Sequence, residues 1–134
     1  MSARNLRLIW KRCARAARDD IEELGGMIKV SVFYPNQADK KFDLDYYLGQ
    51  HMPMVEARFG EACREASVEV GILGVAPGTT PAFIVTCHLT FDSVDAFQTA
   101  FAPHVAEIMG DIPNYTDIEP VIQIGEVRRG PLVR

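Results

Sequence analysis

The sequence predicts an α+β sandwich in which two helices lie on a four-stranded antiparallel sheet. Two helical stretches with apolar stripes alternate with four strand-like runs, in the order strand, helix, strand, strand, helix, strand. A turn-rich passage, Ala76-Pro77-Gly78-Thr79-Thr80-Pro81, separates the two central runs and marks a hairpin. A length of 134 residues, with 48% apolar and 24% charged side chains, suits one domain with a real core and is too short for two.

The elements follow in order. Residues 1–24 carry Leu6, Ile9 or Trp10, Cys13, Ala17, Ile21 and Leu24 at spacings of three and four, a helical period closed by Gly25-Gly26. The apolar face of this stretch is thin and rich in alanine, which argues against a helix lying on a membrane surface. Met27 stands directly before the first strand, so residues 1–26 are expected to be a helical extension upstream of the natural start. Ile28 to Tyr34 alternates with period two as a strand, stopped by Pro35-Asn36.

A first helix is expected from Asp43 to Ala66. Asp43 can cap it through its carboxylate. At about 100° per residue, Leu44, Tyr47, Leu48, His51, Val55 and Phe59 share one face, and Pro53 should bend the helix just after His51. A second strand is expected over Ser67–Val75 and a third over Ala82–Phe91. In the third, Phe83, Val85, Cys87, Leu89 and Phe91 take one face and Ile84, Thr86, His88 and Thr90 the other. Asp92 or Ser93 caps a second helix with the stripe Val94, Phe97, Phe101, Val105 and Ile108, ended by Gly110. Ile118–Val127 supplies the last strand, with Pro120 near its start, and residues 128–134 form a polar tail. Each half is a split βαβ unit, and the whole reads as a ferredoxin-like sandwich spanning residues 27–127.

Two helices cover one face of such a sheet and leave the other bare. Phe33, Ile84, Val121 and Val127 alternate against Val30, Val85 and Ile122, so both faces carry apolar residues. A homodimer through the sheet faces is the simplest way to bury the second.

Net charge is −4, unevenly distributed: residues 1–26 hold six Lys/Arg against four acids, and the remainder eight against fourteen. An acidic body argues against nucleic acid as a partner. No apolar run approaches the roughly 20 residues of a membrane span, and the first residues lack the apolar core of a secretory signal. Three cysteines, Cys13, Cys63 and Cys87, are odd in number and without metal-like spacing, which points to free thiols in the cytoplasm.

Phe42-Asp43, Tyr46-Tyr47 and His51-Met52-Pro53 resemble the first-helix signature of EthD-like proteins. Asp111-Ile112-Pro113-Asn114-Tyr115 and Glu119 to Glu126 resemble that family's C-terminal segment, so the resemblance covers about Met27 to Val127. It implies the dimeric α/β-barrel superfamily, in which two ferredoxin-like sheets face each other and a pocket lies between each sheet and its own helices. Relatives there include cofactor-independent monooxygenases, lactone isomerases, polyketide cyclases, decarboxylases and haem-degrading enzymes, so the fold alone does not name a reaction.

His51 is the leading catalytic candidate, because imidazole both gives and takes a proton near neutral pH and here falls within an apolar stripe. The plainer alternative is a core histidine satisfied by a carbonyl or a tyrosine. His104, after Pro103 on the second helix, loosely resembles the catalytic histidine of plant-type polyketide cyclases; otherwise it is a half-exposed helix residue. Tyr46 and Tyr47 point about 100° apart, so one can enter a pocket, and Tyr47, nearer the stripe, can orient a substrate oxygen. His88, between Thr86 and Thr90, is read as a packing or subunit-contact residue. Three histidines with no carboxylate at ligand spacing give no metal site, and no cofactor is expected.

The expected function is a small cofactor-independent enzyme that acts on a hydrophobic oxygenated molecule by histidine acid/base chemistry, through monooxygenation, cyclisation, isomerisation or decarboxylation. The alternative is a non-catalytic ligand-binding or accessory homodimer.

Overall fold

The computed structural model describes residues 26–134, so the expectations for the N-terminal stretch lie outside the described residues. Four strands, β1 (Ile28–Pro35), β2 (Cys63–Val70), β3 (Phe83–Phe91) and β4 (Val121–Glu126), form one sheet in the order β2-β3-β1-β4. Every neighbouring pair is antiparallel, which is the ferredoxin-like arrangement expected from the element order. Two helical arms connect the strands. The first comprises α1 (Leu44–Tyr46), a π-helical turn over Tyr47–His51 and α2 (Met52–Phe59). The second comprises α3 (Val94–Phe101), a 3-10 turn over Ala102–His104 and α4 (Val105–Asp111), followed by a further 3-10 turn over Ile112–Asn114.

The core lies between one sheet face and both arms. Val30 and Tyr34 of β1 and Val85, Cys87, Leu89 and Phe91 of β3 pack against Tyr47, Met52, Val55 and Phe59 of the first arm. Phe97, Phe101, Ile108 and Met109 complete it from the second. The alternation expected for β3 holds from Val85 on, with Val85, Cys87, Leu89 and Phe91 all buried on this face. Phe83, expected beside them, is exposed and packs on Phe33 of the other face, beyond the register shift between Tyr34 and Pro35. Asp43 caps the first arm by accepting from the Tyr46 N–H at 3.1 Å, and Ser93, rather than Asp92, caps the second by accepting from the Ala96 N–H at 3.0 Å. Asp92 instead pairs with Arg64 of β2 at 2.8 Å.

The boundaries differ from expectation in four places. The last strand covers Val121–Glu126 and not Ile118–Val127, because Pro120 has no N–H to give a ladder. The first arm ends at Phe59 instead of continuing to Ala66, because Gly60 takes φ 58°, ψ −141° and turns the chain into a 3-10 turn over Gly60–Ala62. The second strand therefore starts at Cys63 and ends at Val70, leaving Ile72, Leu73 and Val75 in an exposed loop. Gly110 does not end the second arm, which runs on through Asp111; its interruption falls earlier, at Ala102-Pro103, where the proline interrupts the α-helical pattern.

The outer sheet face is less apolar than the alternation suggested. The Phe33 and Phe83 rings pack tilted, with centroids 5.1 Å apart, and with Ile84 and Val121 they make one end of that face apolar. Its centre is polar: Ser31 Oγ lies 2.8 Å from His88 Nδ1, and Thr86 Oγ1 donates to Glu69 at 3.1 Å. No described helix is long and apolar enough to cross a membrane.

Candidate active site

The site begins with the π-helical turn. The Met52 N–H donates to the Tyr47 carbonyl, five residues back, so this turn holds one residue more than an α-helical turn. The bend expected at Pro53 thus takes the form of a wide turn just ahead of it, and Pro53 itself stands in the first turn of α2, where its missing donor matters least. The extra residue changes which side chains face the sheet. Leu48, on the apolar stripe by regular helical periodicity, is rolled out to 46% exposure, whereas Tyr47 and His51 are buried at 1% and 4%. Their rings stack at 5.5 Å with planes 18° apart.

The C-terminal passage is sewn onto this arm. The Asp43 N–H donates to the Tyr115 carbonyl at 2.7 Å, Thr116 Oγ1 donates to the Lys41 carbonyl at 2.7 Å, and the Lys41 N–H donates to Asp117 at 2.9 Å. These bonds bring Asp111 and Tyr115 against His51. Asp111 Oδ2 lies 2.8 Å from His51 Nδ1, while its Oδ1 accepts from the Tyr46 hydroxyl at 2.7 Å and from Asn114 Nδ2 at 2.9 Å. The Tyr115 hydroxyl stands 3.4 Å from His51 Nε2 and 2.8 Å from the Tyr34 hydroxyl.

The proton positions follow from the chemistry of the partners. An ionised carboxylate only accepts, so Nδ1 carries the imidazole proton and donates to Asp111. Nε2 of the neutral ring is then an acceptor, Tyr115 donates to it, and Tyr34 donates to Tyr115. Burial holds the His51 pKa below its ordinary value, against the opposing pull of Asp111, and so favours this neutral base. Burial alone would raise the Asp111 pKa, but hydrogen bonds from Asn114, Tyr46 and His51 outweigh it and hold the carboxyl below its ordinary value. Burial raises the pKa values of Tyr34, Tyr47 and Tyr115, keeping them as neutral phenols. The Cys87 thiol is pushed up to about 11, again chiefly by burial, and stays protonated.

This constellation borders a cavity of about 100 Å³ between the sheet and the arms. Its walls are apolar, with Val30, Val55, Phe97, Ile108, Ile122 and Ile124 among them, and Tyr34, Tyr47, His51 and Tyr115 form its polar corner. No lysine or arginine is among the described residues that line it. That volume holds several waters or a small organic ring. β4 is an edge strand whose Ile122 and Ile124 are only half buried, so the cavity is least covered along that edge.

Of the residues proposed from sequence, His51 and Tyr47 meet at this cavity. His104 does not: it is a half-buried residue in the 3-10 turn between α3 and α4, outside the cavity lining. His88 sits on the outer sheet face, away from the cavity. Of the two adjacent tyrosines, Tyr47 enters the cavity and Tyr46 turns to Asp111. Asp111, Tyr34 and Tyr115 were not assigned roles from sequence; the nearest signal was the Asp111…Tyr115 passage that carried the family resemblance. Among the described residues no group of three or more His, Cys, Asp or Glu side chains gathers as a metal site.

The sequence profile of the EthD domain matches residues 36–119. The chain belongs to the EthD domain family. An EthD-like protein from Ralstonia eutropha JMP134 is 51% identical, with 79% of this chain and 96% of that one covered and a TM-score of 0.75. An ethyl tert-butyl ether D (EthD) family protein from Bacillus halodurans C-125 is 19% identical over 75% of this chain and 97% of that one, with a TM-score of 0.54. A dimeric ferredoxin-like protein of unknown function from Thermobifida fusca YX is 13% identical over 76% and 92%, with a TM-score of 0.52. The last two likenesses show the fold alone. No curated protein matches the chain significantly. EthD membership therefore rests on the profile and the Ralstonia eutropha protein together.

Proposed function

We propose that this EthD protein is a small cofactor-independent enzyme in which His51 acts as a general base on a hydrophobic, oxygenated small molecule. The observation that carries this reading is the His51–Asp111 pair: a carboxylate 2.8 Å away fixes the imidazole tautomer, so that Nε2 is a proton acceptor at the polar corner of an apolar cavity, held only by a long 3.4 Å contact to Tyr115. Substrate bound there has one base to meet, and Tyr115 and Tyr47 can hold its oxygen. Monooxygenation, cyclisation, isomerisation and decarboxylation without a cofactor share a proton transfer at carbon or oxygen, which is the step this geometry supports. A purely structural core histidine needs no more than a carbonyl or a tyrosine, whereas His51 is held by a carboxylate and borders a cavity.

The test is proton exchange. 2-Tetralone, a hydrophobic enolisable ketone, is incubated with the protein in D₂O and deuterium uptake beside its carbonyl is followed by NMR. Wild type should accelerate uptake above buffer and His51→Ala should not, although the ketone still binds. Equal rates for the two proteins, or no acceleration by wild type, would leave the ligand-binding reading in place of the catalytic one.

The assembly proposed with this function is a homodimer through the outer sheet face, supported by the apolar end at Phe33, Phe83, Ile84 and Val121. The Thermobifida fusca relative is itself described as dimeric. Free thiols at Cys63 and Cys87 support the cytoplasm as the compartment.

A further inference from the structure

The geometry points to a neutral hydroxyaromatic compound as the ligand class of this cavity, bound with its oxygen between Tyr115 and His51 and ionised there. This inference rests on the general-base reading of His51 and narrows it. Three observations carry it. The Tyr115 hydroxyl and His51 Nε2 are 3.4 Å apart, longer than a good hydrogen bond, so an oxygen on the cavity side about 2.8 Å from each can bridge them. Such an oxygen has a donor on one side and an acceptor on the other, which matches a hydroxyl group and not an ether. Tyr34 supports the donor, because its own hydroxyl donates to Tyr115 at 2.8 Å, so the Tyr115 proton, long-bonded to His51 Nε2, can swing to an entering oxygen.

The charge inventory selects further. The described lining holds no lysine or arginine, so a ligand arriving as a carboxylate or phosphate would bury an unpaired anion. A neutral phenol brings no charge. When it ionises, its O–H bond breaks, the proton passes to His51 Nε2 and the electron pair stays on the phenolate oxygen. The imidazolium formed is already paired with Asp111, and the phenolate accepts from the Tyr115 hydroxyl. Each new charge therefore has a partner in place. The Tyr47 ring, stacked on His51 and tilted against Tyr115, and the apolar walls suit a flat ring.

The experiment uses the full chain and 4-nitrophenol, whose phenolate absorbs at longer wavelength than the phenol, at a pH where the free compound is mostly neutral. Wild type should bind it saturably with growth of the phenolate band. It should bind 4-nitrobenzoate at least about tenfold more weakly and 4-nitroanisole without any such band. Tyr115→Phe, which keeps the ring and drops the hydroxyl, should lower the ionised fraction of bound probe at least about tenfold, and His51→Gln should remove the band while binding persists. Phenol bound only in its neutral form, equal affinity for the benzoate, an unchanged band in His51→Gln, or no saturable binding would each overturn the inference. Should the phenol arm fail while 2-tetralone exchange still depends on His51, the ligand class is wrong and the general base stands. Should both fail, the general-base reading falls with it.

Discussion

His51 and Asp111 meet at 2.8 Å, Nδ1 to Oδ2, although 60 residues separate them in the chain. Asp111 also takes hydrogen bonds from Tyr46 and Asn114, so two donors aim the carboxylate and the carboxylate aims the imidazole. Asp111→Asn should therefore do more than remove a charge. An asparagine amide can present an N–H to Nδ1 and drive the ring to the other tautomer, which would put a proton on the nitrogen facing the cavity. Exchange of the 2-tetralone probe should fall by on the order of 10²-fold or more, with probe affinity nearly unchanged. A rate within about twofold of wild type would show that Asp111 does not position the base.

The same pair sets a dependence on pH. Because burial keeps the His51 pKa below its ordinary 6.5, the unfolded chain takes up this proton at a higher pH than the folded protein does. Its contribution to stability is complete above about 6.5 and is lost as the pH falls through the lower folded value. Asp111, held below 3.8, acts in the same sense in a more acidic window. Melting temperature should drop on acidification below pH 6.5, and the drop between there and the carboxylate range should be smaller in His51→Gln. A midpoint for exchange activity above 6.5 would contradict the neutral, buried base.

His51 and His104 separate cleanly as a pair of variants. His51→Ala removes a donor from Asp111 and a wall from the cavity, and should cost about 1–3 kcal/mol in urea unfolding as well as abolish exchange. His104→Ala touches a half-buried turn outside the cavity lining and should change stability by less than about 0.5 kcal/mol, with exchange intact. Loss of exchange in His104→Ala would move the catalytic assignment to the second arm.

Local periodicity carried the fold: alternation in β1 and in β3 from Val85 on, the stripes of both arms apart from Leu48, and the caps at Asp43 and Ser93 stand where residue pattern placed them. It failed where a backbone choice is not encoded in hydrophobicity. Helical period extended the first arm past Gly60 and set Leu48 on the buried face, since an apolar pattern does not reveal a left-handed glycine or a π-helical turn. The site followed the same division. His51 and Tyr47 could be found because they share one arm, whereas Asp111, Tyr34 and Tyr115 join them through tertiary contacts across 60 to 81 positions. No local signal states such a meeting.

Two glycines of the first arm should respond oppositely to alanine. Gly49 lies in the π-helical turn with no heavy atom within 4 Å of an added Cβ and no positive φ, so Gly49→Ala should stabilise by about 0.5–1 kcal/mol through the unfolded chain. Gly60 has φ 58°, ψ −141°, a region that side chains avoid, and Gly60→Ala should cost about 1–3 kcal/mol despite equally open space. Chemical denaturation of both variants checks the pair. Destabilisation by Gly49→Ala would show that the wide turn needs a glycine.

The outer sheet face provides the last test, because its two ends differ in chemistry. Phe33 packs on Phe83 and, edge-on, on His88, and lies at the boundary between the apolar end and the polar centre formed by Ser31, His88 and Glu69. β3 and β1 carry this boundary in adjacent register, with Phe33 and His88 half-buried. If a second copy covers it, Phe33→Glu buries a carboxylate with no cation facing it, and the association should weaken by several kcal/mol while the fold, whose core is on the other face, persists. Light scattering at micromolar concentration should then change from twice 14.9 kDa for wild type to 14.9 kDa for the variant, with far-ultraviolet circular dichroism unchanged. Glu69→Gln makes the control, since Glu69 is exposed and borders the polar centre, and should leave the dimer in place. A wild type that scatters as a monomer would refute the assembly. A Phe33→Glu variant that remains dimeric would place the interface on another surface.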